Sequence, residues 1–370
     1  MDNPHPITPI PQNPKTAKAM NHLVIMAGGV GSRFWPMSTP DTPKQFIDVL
    51  GIGRSLMQMT YDRFMGVCAP ENVWVVTSAD YVEKVHEQLP DVPRGNILSE
   101  PCRRNTAPCI AYVSYRIKAK DPKGNIVVTP SDHVVMNVPE FQRVISGAMQ
   151  FAGETDAIVT LGMKPTRPET GYGYIQANMA AQSMRNKEIY QVESFREKPN
   201  LETVQEYIKH NNYYWNAGIF VWSVSTIVNA FRMYQPALNR IFESMMDLYG
   251  TEKEQAAINE HYGECENISV DYAIMEKAEE IHVFPADFGW SDLGTWGSLQ
   301  TLSKKDANGN SLISKNTKTY ETTNCIINVE GNKQVVVQGL DGYIVAQRDG
   351  RLLICKLSEE QRIKEFSAGA

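Results

Sequence analysis

The run His22-Leu23-Val24-Ile25-Met26 passes through Ala27 straight into Gly28-Gly29-Val30-Gly31. A short apolar run without polar alternation reads as a strand buried on both faces of a parallel sheet. Three glycines in four positions then require a tight bend, or a backbone that comes very close to something else. In open α/β sheets that place, just outside the carboxyl end of a strand, is where ligands sit.

The next 140 residues repeat the theme. Helical spacing over Arg54–Met65, Ala79–Leu89, Thr106–Lys118 and Pro139–Ala152 alternates with apolar strands at Val73–Thr77, Asn96–Ser99, Asn125–Thr129 and Ala157–Leu161. Such alternation predicts an α/β fold: a Rossmann-like mixed, mainly parallel sheet flanked by helices. Ser131-Asp132-His133 follows a strand as the glycines do, so both belong to one rim. From Tyr172 the strands turn aromatic or alternating, at Gly171–Ile175, Ile189–Arg196 and Trp215–Trp222. Helices are expected over Ser223–Tyr234, Ala237–Tyr249 and Val270–Ala278, and Ser291–Leu302 begins as a turn and ends as a helix. After Lys305, Asn-Gly and Asp-Gly turns at short intervals predict a small C-terminal all-β domain without a catalytic cluster. The expected division is therefore a Pro-rich disordered extension over 1–20, a catalytic domain over 21–304, and the β-rich piece over 305–370.

What the glycines approach depends on their company. A dinucleotide fingerprint needs G-x-G-x-x-G, and Phe34 stands where the last glycine should be. A P-loop needs G-x-x-x-x-G-K-[ST], which the sequence does not contain. A glycine turn alone is no more than a turn. Here, however, Arg33 supplies a guanidinium fork and Lys44 a point charge, and Pro36, Pro40 and Pro43 stiffen the loop between them. Backbone N–H groups with two cations beside them form an anion site, suited to phosphate.

These residues carry a resemblance. Gly28-Gly29-Val30-Gly31-Ser32-Arg33-Phe34-Trp35-Pro36-Met37, followed by Pro43-Lys44-Gln45-Phe46, resembles the signature of the sugar-nucleotidyltransferase superfamily. The Phe-Trp-Pro-Met and Pro-Lys-Gln-Phe forms are similar to those of mannose-1-phosphate guanylyltransferases in particular. The resemblance implies transfer of GMP from GTP to mannose 1-phosphate, giving GDP-mannose and pyrophosphate. It assigns Arg33, Lys44, Asp132, Lys198 and Asp292 to catalysis, with Asp132 and Asp292 sharing Mg²⁺. Ala27, Gly28, Gly29, Gly31 and Ser32 would hold the nucleotide, joined by Glu100, Asn105 and Thr106 from Glu100-Pro101…Asn105-Thr106-Ala107-Pro108. Gly173, Tyr174, Glu197, Lys198, Asn216 and Gly218 would line the sugar-phosphate pocket.

Each of these residues also has an ordinary structural reading. Asp132 could form a turn or cap a helix, Asp292 could cap one, as could Asn105 or Thr106, and Glu197-Lys198-Pro199 could be a solvated turn. His133 reads as structural. Their occurrence in one order along the chain favours the functional reading. Two alternatives stay open: a glucose-1-phosphate transferase using UTP or dTTP, and a regulatory paralogue that binds nucleotide sugar without turnover.

Composition sets the remaining bounds. A formal net charge of −6 and no basic block exclude a nucleic-acid scaffold. Six cysteines without a CxxC pair read as thiols in a reducing compartment. The lead carries five prolines in its first fourteen residues and no apolar core, so it is not a signal peptide. With no run long enough for a membrane span, a cytoplasmic protein is expected, with no membrane partner. By resemblance, the tail mediates a homodimer, and the isomerase barrel of longer relatives is not expected.

Overall fold

The structure is a computed structural model that describes residues 20–29 and 32–368. The Pro-rich lead, Val30, Gly31 and the Ser32 side chain fall outside the described residues, as do the expectations placed on them.

The first half runs β1 (Asn21–Met26), α1 (Leu56–Arg63), β2 (Val73–Ser78), α2 (Val82–Gln88), β3 (Ile97–Glu100), α3 (Thr106–Lys120) and β4 (Asn125–Pro130). Then come β5 (Val134–Val135), α4 (Val138–Glu154), β6 (Ile158–Met163), β7 (Tyr174–Gln182), β8 (Tyr190–Arg196), α5 (Leu201–Tyr207) and β9 (Tyr213–Ser223). The chain continues through α6 (Val224–Tyr234), α7 (Pro236–Glu243), α8 (Glu254–His261), β10 (Ile281–Ala286), β11 (Trp290–Ser291) and α9 (Trp296–Leu302). The last part holds β12 (Ser311–Leu312), β13 (Thr317–Tyr320), β14 (Ile326–Val329), β15 (Val335–Gln338), β16 (Tyr343–Arg348), β17 (Arg351–Lys356) and a short α10 (Ile363–Phe366).

Local chemistry explains many boundaries. Ser55 and Gln58 form a reciprocal capping box at α1. Asn105, Asn137 and Ser223 cap α3, α4 and α6 with side-chain oxygens. β1, β2, β4 and β6 are buried almost throughout, because helices cover both faces of the sheet.

The main sheet has the order β3-β2-β1-β4-β9-β6-β10-β8-β7. Its β3-β2-β1-β4 block is parallel, as the βαβ pattern predicts. Beyond it the expectation of a mainly parallel sheet needs correction. β9 enters antiparallel to both β4 and β6, and β7 and β8 pair antiparallel with each other. β7 also pairs with the start of β9, so β9, β6, β10, β8 and β7 pair in a ring. An eleven-residue strand reaching two sets of neighbours turns the second half into a curled, mixed sheet.

Two helix expectations also change. Val270–Ala278 is no α-helix but a single π-helical turn over Asp271–Met275. α7 stops at Glu243, after which amides bond three residues back (Met245 to Phe242, Leu248 to Met245) and the chain turns at Gly250.

In the tail, β12, β14 and β16 stack in parallel and β13 pairs in parallel with β15, with β17 returning antiparallel on β16. Successive coils thus lay strands alternately on two small sheets. The tail shares a core with the loop after the glycines: Ile326, Ile344, Leu353 and Ile363 pack with Phe34, Met37 and Trp296.

Candidate active site

Register builds the rim. Met26 lies opposite Val76 and Pro130, and Ser78 opposite Glu100, so the glycine turn, Glu100 and Asp132 emerge side by side. The turn is tied down from within. Gln45 donates through Nε2 to the carbonyls of Ala27 (3.0 Å) and Gly29 (2.8 Å), and the Thr77 hydroxyl donates to Ala27 O (3.0 Å).

Asp292, 160 residues further along, reaches this rim through a two-residue ribbon. β11 pairs antiparallel with β5, Ser291 opposite Val134 and Trp290 opposite Val135. The residue after Ser291 is thereby brought to the one before Val134, so Asp292 comes to His133 and Asp132. Lys44 completes the junction. Its ammonium lies 2.8 Å from Asp132 Oδ2 and donates to the carbonyls of Asp292 (3.1 Å) and Leu293 (2.9 Å). The Lys44 side chain is 5% exposed, so this cation faces inward.

The electrostatics follow from that contact. Burial works to raise the Asp132 carboxyl, but the Lys44 ammonium and His133 outweigh it and hold the group below its ordinary value. Burial pushes His133 down to about 4 against the attraction of Asp132 and Asp292, so its ring is neutral at pH 7. Trp290 Nε1 donates to His133 Nδ1 (3.2 Å), which assigns the ring proton to Nε2.

Two cavities meet this junction. The first, of about 380 Å³, lies between Gly28, Gly29, Glu100, Asn105, Thr106 and Asp132. Glu100 is buried deeply enough to be pushed up to about 7, although Tyr262 donates a short hydrogen bond to its Oε1 and Arg103 lies close. A Cβ on Gly28 would stand 3.4 Å from Glu100 Oε2, an ordinary contact distance, so the carboxylate lies directly against the turn. Asn105 holds a positive φ of 66° while its side chain accepts from the Thr106 amide (2.9 Å). The Thr106 hydroxyl accepts from Val270 N (2.9 Å), anchoring the cleft wall to the π turn. Asn105 is thus a helix cap and Thr106 a brace, and both are cavity walls as well.

The second cavity, of about 840 Å³, is lined by Asp292, Tyr172, Trp215, Trp290 and Arg167, and Arg33 and Glu360 reach it as well. Arg33 is exposed and faces this side, whereas Lys44 is enclosed. Tyr172 donates to Asp292 Oδ1 (2.5 Å), its ring held edge-on between Trp215 and Trp290.

A third group gathers where β7, β8 and β9 converge. Lys198, in a left-handed conformation (φ 45°), places Nζ 2.6 Å from Glu197 Oε1. Glu197 Oε2 lies against Gly173, where a Cβ would stand only 2.6 Å away. The amide of Asn216 donates to Asp271 (3.0 Å) and accepts from Gly218 N (3.0 Å). Gly218 itself has φ +66°, which glycine adopts at no steric cost, and it sits against Pro130 and His133 at the end of β4. Tyr174 is a core residue, 1% exposed, with its hydroxyl accepting from Glu169 N, so what it offers the site is backbone. Among the described residues, three of the six non-glycine residues with positive φ (Asn105, Lys198 and Leu293) lie at this site, where strain of this kind concentrates.

Several residues beside these were missed in the sequence. Gln45 stands inside the Pro43–Phe46 motif and Tyr172 inside the expected strand Gly171–Ile175, but nothing in their spacing shows that they reach a carbonyl or a carboxylate across the fold. Tyr262 and Asp271 carry no sequence signal of a site.

As to metal binding, Asp132 and Asp292 offer oxygen donors of the kind Mg²⁺ takes, one or two carboxylates completed by phosphate and water. Lys44 is already a cation resting on Asp132 and on the backbone of Asp292, so positive charge is accommodated at this place. Among the described residues no group of three or more acidic, His or Cys side chains could hold a metal ion.

The family model described as nucleotidyl transferase matches residues 22–309. A mannose-1-phosphate guanylyltransferase of Escherichia coli is 34% identical over 348 residues, covering 93% of this chain and 74% of that protein. That of Klebsiella pneumoniae is 34% identical over 345 residues, covering 92% and 72%. A crystal structure from Thermus thermophilus, described as a mannose-1-phosphate geranyltransferase, superposes with a TM-score of 0.82 at 29% identity, covering 94% of this chain and 98% of that one. On these matches, this chain belongs to the nucleotidyl transferase family and, within it, to the mannose-1-phosphate guanylyltransferases.

Proposed function

We propose that this protein transfers GMP from GTP to α-D-mannose 1-phosphate by direct in-line displacement, releasing pyrophosphate, with Mg²⁺ held by Asp132 and Asp292. The observation that carries the reading is the junction itself: Asp132 faces one cavity, Asp292 the other, and one buried cation joins them. A nucleotide in the first cavity would bring its phosphates to that point, where the sugar phosphate must meet them.

The nucleophile is a phosphate oxygen already ionised, so no side-chain base is required. The obstacle is charge. Two unit charges about 4 Å apart interact by roughly 4 kcal/mol at an effective dielectric near 20, and a sugar phosphate facing a triphosphate involves several such pairs. Catalysis then rests on positioning and neutralisation, as in other phosphoryl transfers.

The chain's own residues divide that work. The Gly28–Gly29 backbone and Glu100 seat the nucleotide, Glu100 accepting from the paired N1–H and N2–H donors of guanine. Arg33 and Lys44 offset phosphate charge from two sides. Lys198 takes the sugar phosphate, and Glu197, Asn216 and the backbone at Gly173 and Gly218 hold the hexose. A bound divalent ion would supply charge neutralisation and orientation of the reacting phosphates.

Pyrophosphate release with GTP, UTP and dTTP against mannose and glucose 1-phosphates, with and without a chelator, tests the reading. GTP with mannose 1-phosphate should be the fastest pair, and chelation should stop it. Preference for glucose 1-phosphate with UTP or dTTP, or nucleotide-sugar binding without turnover, would overturn it.

A further inference from the structure

We infer that Asp271 is a positioning residue: it locks the Asn216 amide so that one N–H is left for the substrate, and this corner therefore reads a sugar oxygen as an acceptor. The inference rests on the reading of Asn216 as a sugar contact.

An amide can present either face, and here both ends fix the choice. Gly218 N, which can only donate, lies 3.0 Å from Asn216 Oδ1, and the Thr160 hydroxyl donates to the same oxygen (3.1 Å). Both lone pairs of Oδ1 are then occupied. On the other side Asn216 Nδ2 lies 3.0 Å from Asp271 Oδ1, an atom that only accepts while the carboxylate is ionised. An amide nitrogen carries two N–H bonds. One is bonded to Asp271, and among the described residues the second makes no hydrogen bond.

That second N–H has somewhere to point. A Cβ on Gly173 would stand 3.6 Å from Asn216 Nδ2 and 2.6 Å from Glu197 Oε2. The missing side chain leaves a donor and an acceptor adjacent over one bare glycine, a match for hexose hydroxyls. Asp271 is delivered there by the π turn Asp271–Met275, the kind of irregularity often found at functional sites. Glu276, at the C-cap of that turn, accepts from Glu197 N (2.9 Å), so one element positions both recognition groups. Burial and the Glu197 charge hold the Asp271 carboxyl up at about 6, opposed by its own backbone and Lys198, so it remains ionised at pH 7 to 8.

The test is a set of mannose 1-phosphates each lacking one hydroxyl, assayed by kcat/KM on the wild type, Asn216→Ala, Asp271→Ala and Asp271→Asn. In the wild type, loss of the hydroxyl read by Asn216 should cost on the order of tenfold or more. That penalty should vanish in Asn216→Ala and equally in Asp271→Ala, at unchanged KM for GTP. It should survive in Asp271→Asn, whose amide oxygen still accepts from Asn216. Should Asp271→Ala not fold, Asp271→Leu, of the same branching, takes its place. If Asn216→Ala flattens the penalty and Asp271→Ala does not, or if Asp271→Asn flattens it as fully, the inference falls while the sugar reading stands. If no hydroxyl responds to Asn216→Ala, the sugar reading of this corner fails and takes the inference with it.

Discussion

Lys44 and Asp132 form an ion pair of 2.8 Å between the loop that follows the glycine turn and the end of β4. The same ammonium donates to the carbonyls of Asp292 and Leu293, so one cation joins three segments that the chain separates widely. Lys44→Met removes that cation and leaves Asp132 uncompensated. Breaking one partner of a buried pair costs about 3–5 kcal/mol, and Asp132, a third exposed, belongs at the low end of that range. The urea midpoint at pH 7 should fall accordingly, with activity lost. Because the Asp132 carboxyl is held below its ordinary value, the pair stabilises above the unfolded value near ~3.9 and ceases to do so as pH falls through the folded one. The gap between wild type and variant should therefore close in acid; a gap that persists there would remove the pair as its cause.

With the proposed seat of guanine on Glu100, nucleotide binding should depend on pH. Its carboxyl is held up at about 7 by burial, and the proposed guanine contact needs it ionised. KM for GTP should rise by about tenfold per pH unit below 7 and level off above it. Glu100→Gln should give a flat profile with KM raised about tenfold at pH 8. Inosine triphosphate lacks the 2-amino donor, so its disadvantage against GTP should shrink in the variant. The stability effect has the opposite sense from that of Asp132. A raised carboxyl favours the fold below the unfolded value and loses that support as pH climbs through 7, so Glu100→Gln should be the more stable protein at pH 8. Equal GTP profiles in both proteins would dismiss the assignment.

How far the sequence discloses this site depends on how local the cause is. The buried β1 run, the glycine turn and the strand ends carrying Glu100 and Asp132 follow from apolar patterning and punctuation alone. The approach of Asp292 depends on a two-residue ribbon between β5 and β11, and no periodicity marks a pairing that short. Likewise, nothing in Tyr213–Ser223 shows that it enters antiparallel between two parallel blocks. Val270–Ala278 has helical spacing because Val270, Ala273 and Ile274 are buried, and that spacing hides the π turn that delivers Asp271. α8 escapes notice for the reverse reason: Ile258 is its one buried residue. Motif resemblance brought Lys44 to the site but could not show that it turns inward to Asp132 while Arg33 faces the second cavity.

Tyr172 tests how strictly Asp292 must be oriented. Phe at this position keeps the edge-on contacts with Trp215 and Trp290 and removes only the hydroxyl that donates to Asp292 Oδ1. Losing a partner that fixes a metal-binding carboxylate typically costs about 10–100-fold in metal affinity or activity. Tyr172→Phe should thus unfold at an unchanged temperature while its Mg²⁺ activation curve moves to higher concentration. An unchanged curve would mean that Asp292 needs no such support.

Gly173→Ala separates the two substrates. The added Cβ would meet Glu197 Oε2 at 2.6 Å, and Glu197 is held on its other side by Lys198 and by its own amide on Glu276. The carboxylate must shift, so KM for mannose 1-phosphate should rise about tenfold, the loss of one charged hydrogen bond, with KM for GTP unaltered. An equal rise for both substrates would point to general distortion instead.

The tail offers the last prediction. Ile363 is fully buried among Phe34, Met37, Trp296 and the strands of residues 305–370, and nearby Glu360 accepts from the Gly297 amide (2.7 Å) at the start of α9, five residues beyond Asp292. A separately folded appendage could melt without disturbing the rim. A shared core cannot, because Phe34 belongs to the loop that holds Arg33 and Lys44. Ile363→Ala opens a cavity worth about 2–5 kcal/mol. Thermal unfolding followed by tryptophan fluorescence and loss of transferase activity should then shift downward together and coincide in midpoint. If activity outlasts the melting of the tail strands, the tail is energetically independent of the site, and its contact with the glycine loop carries no weight in catalysis.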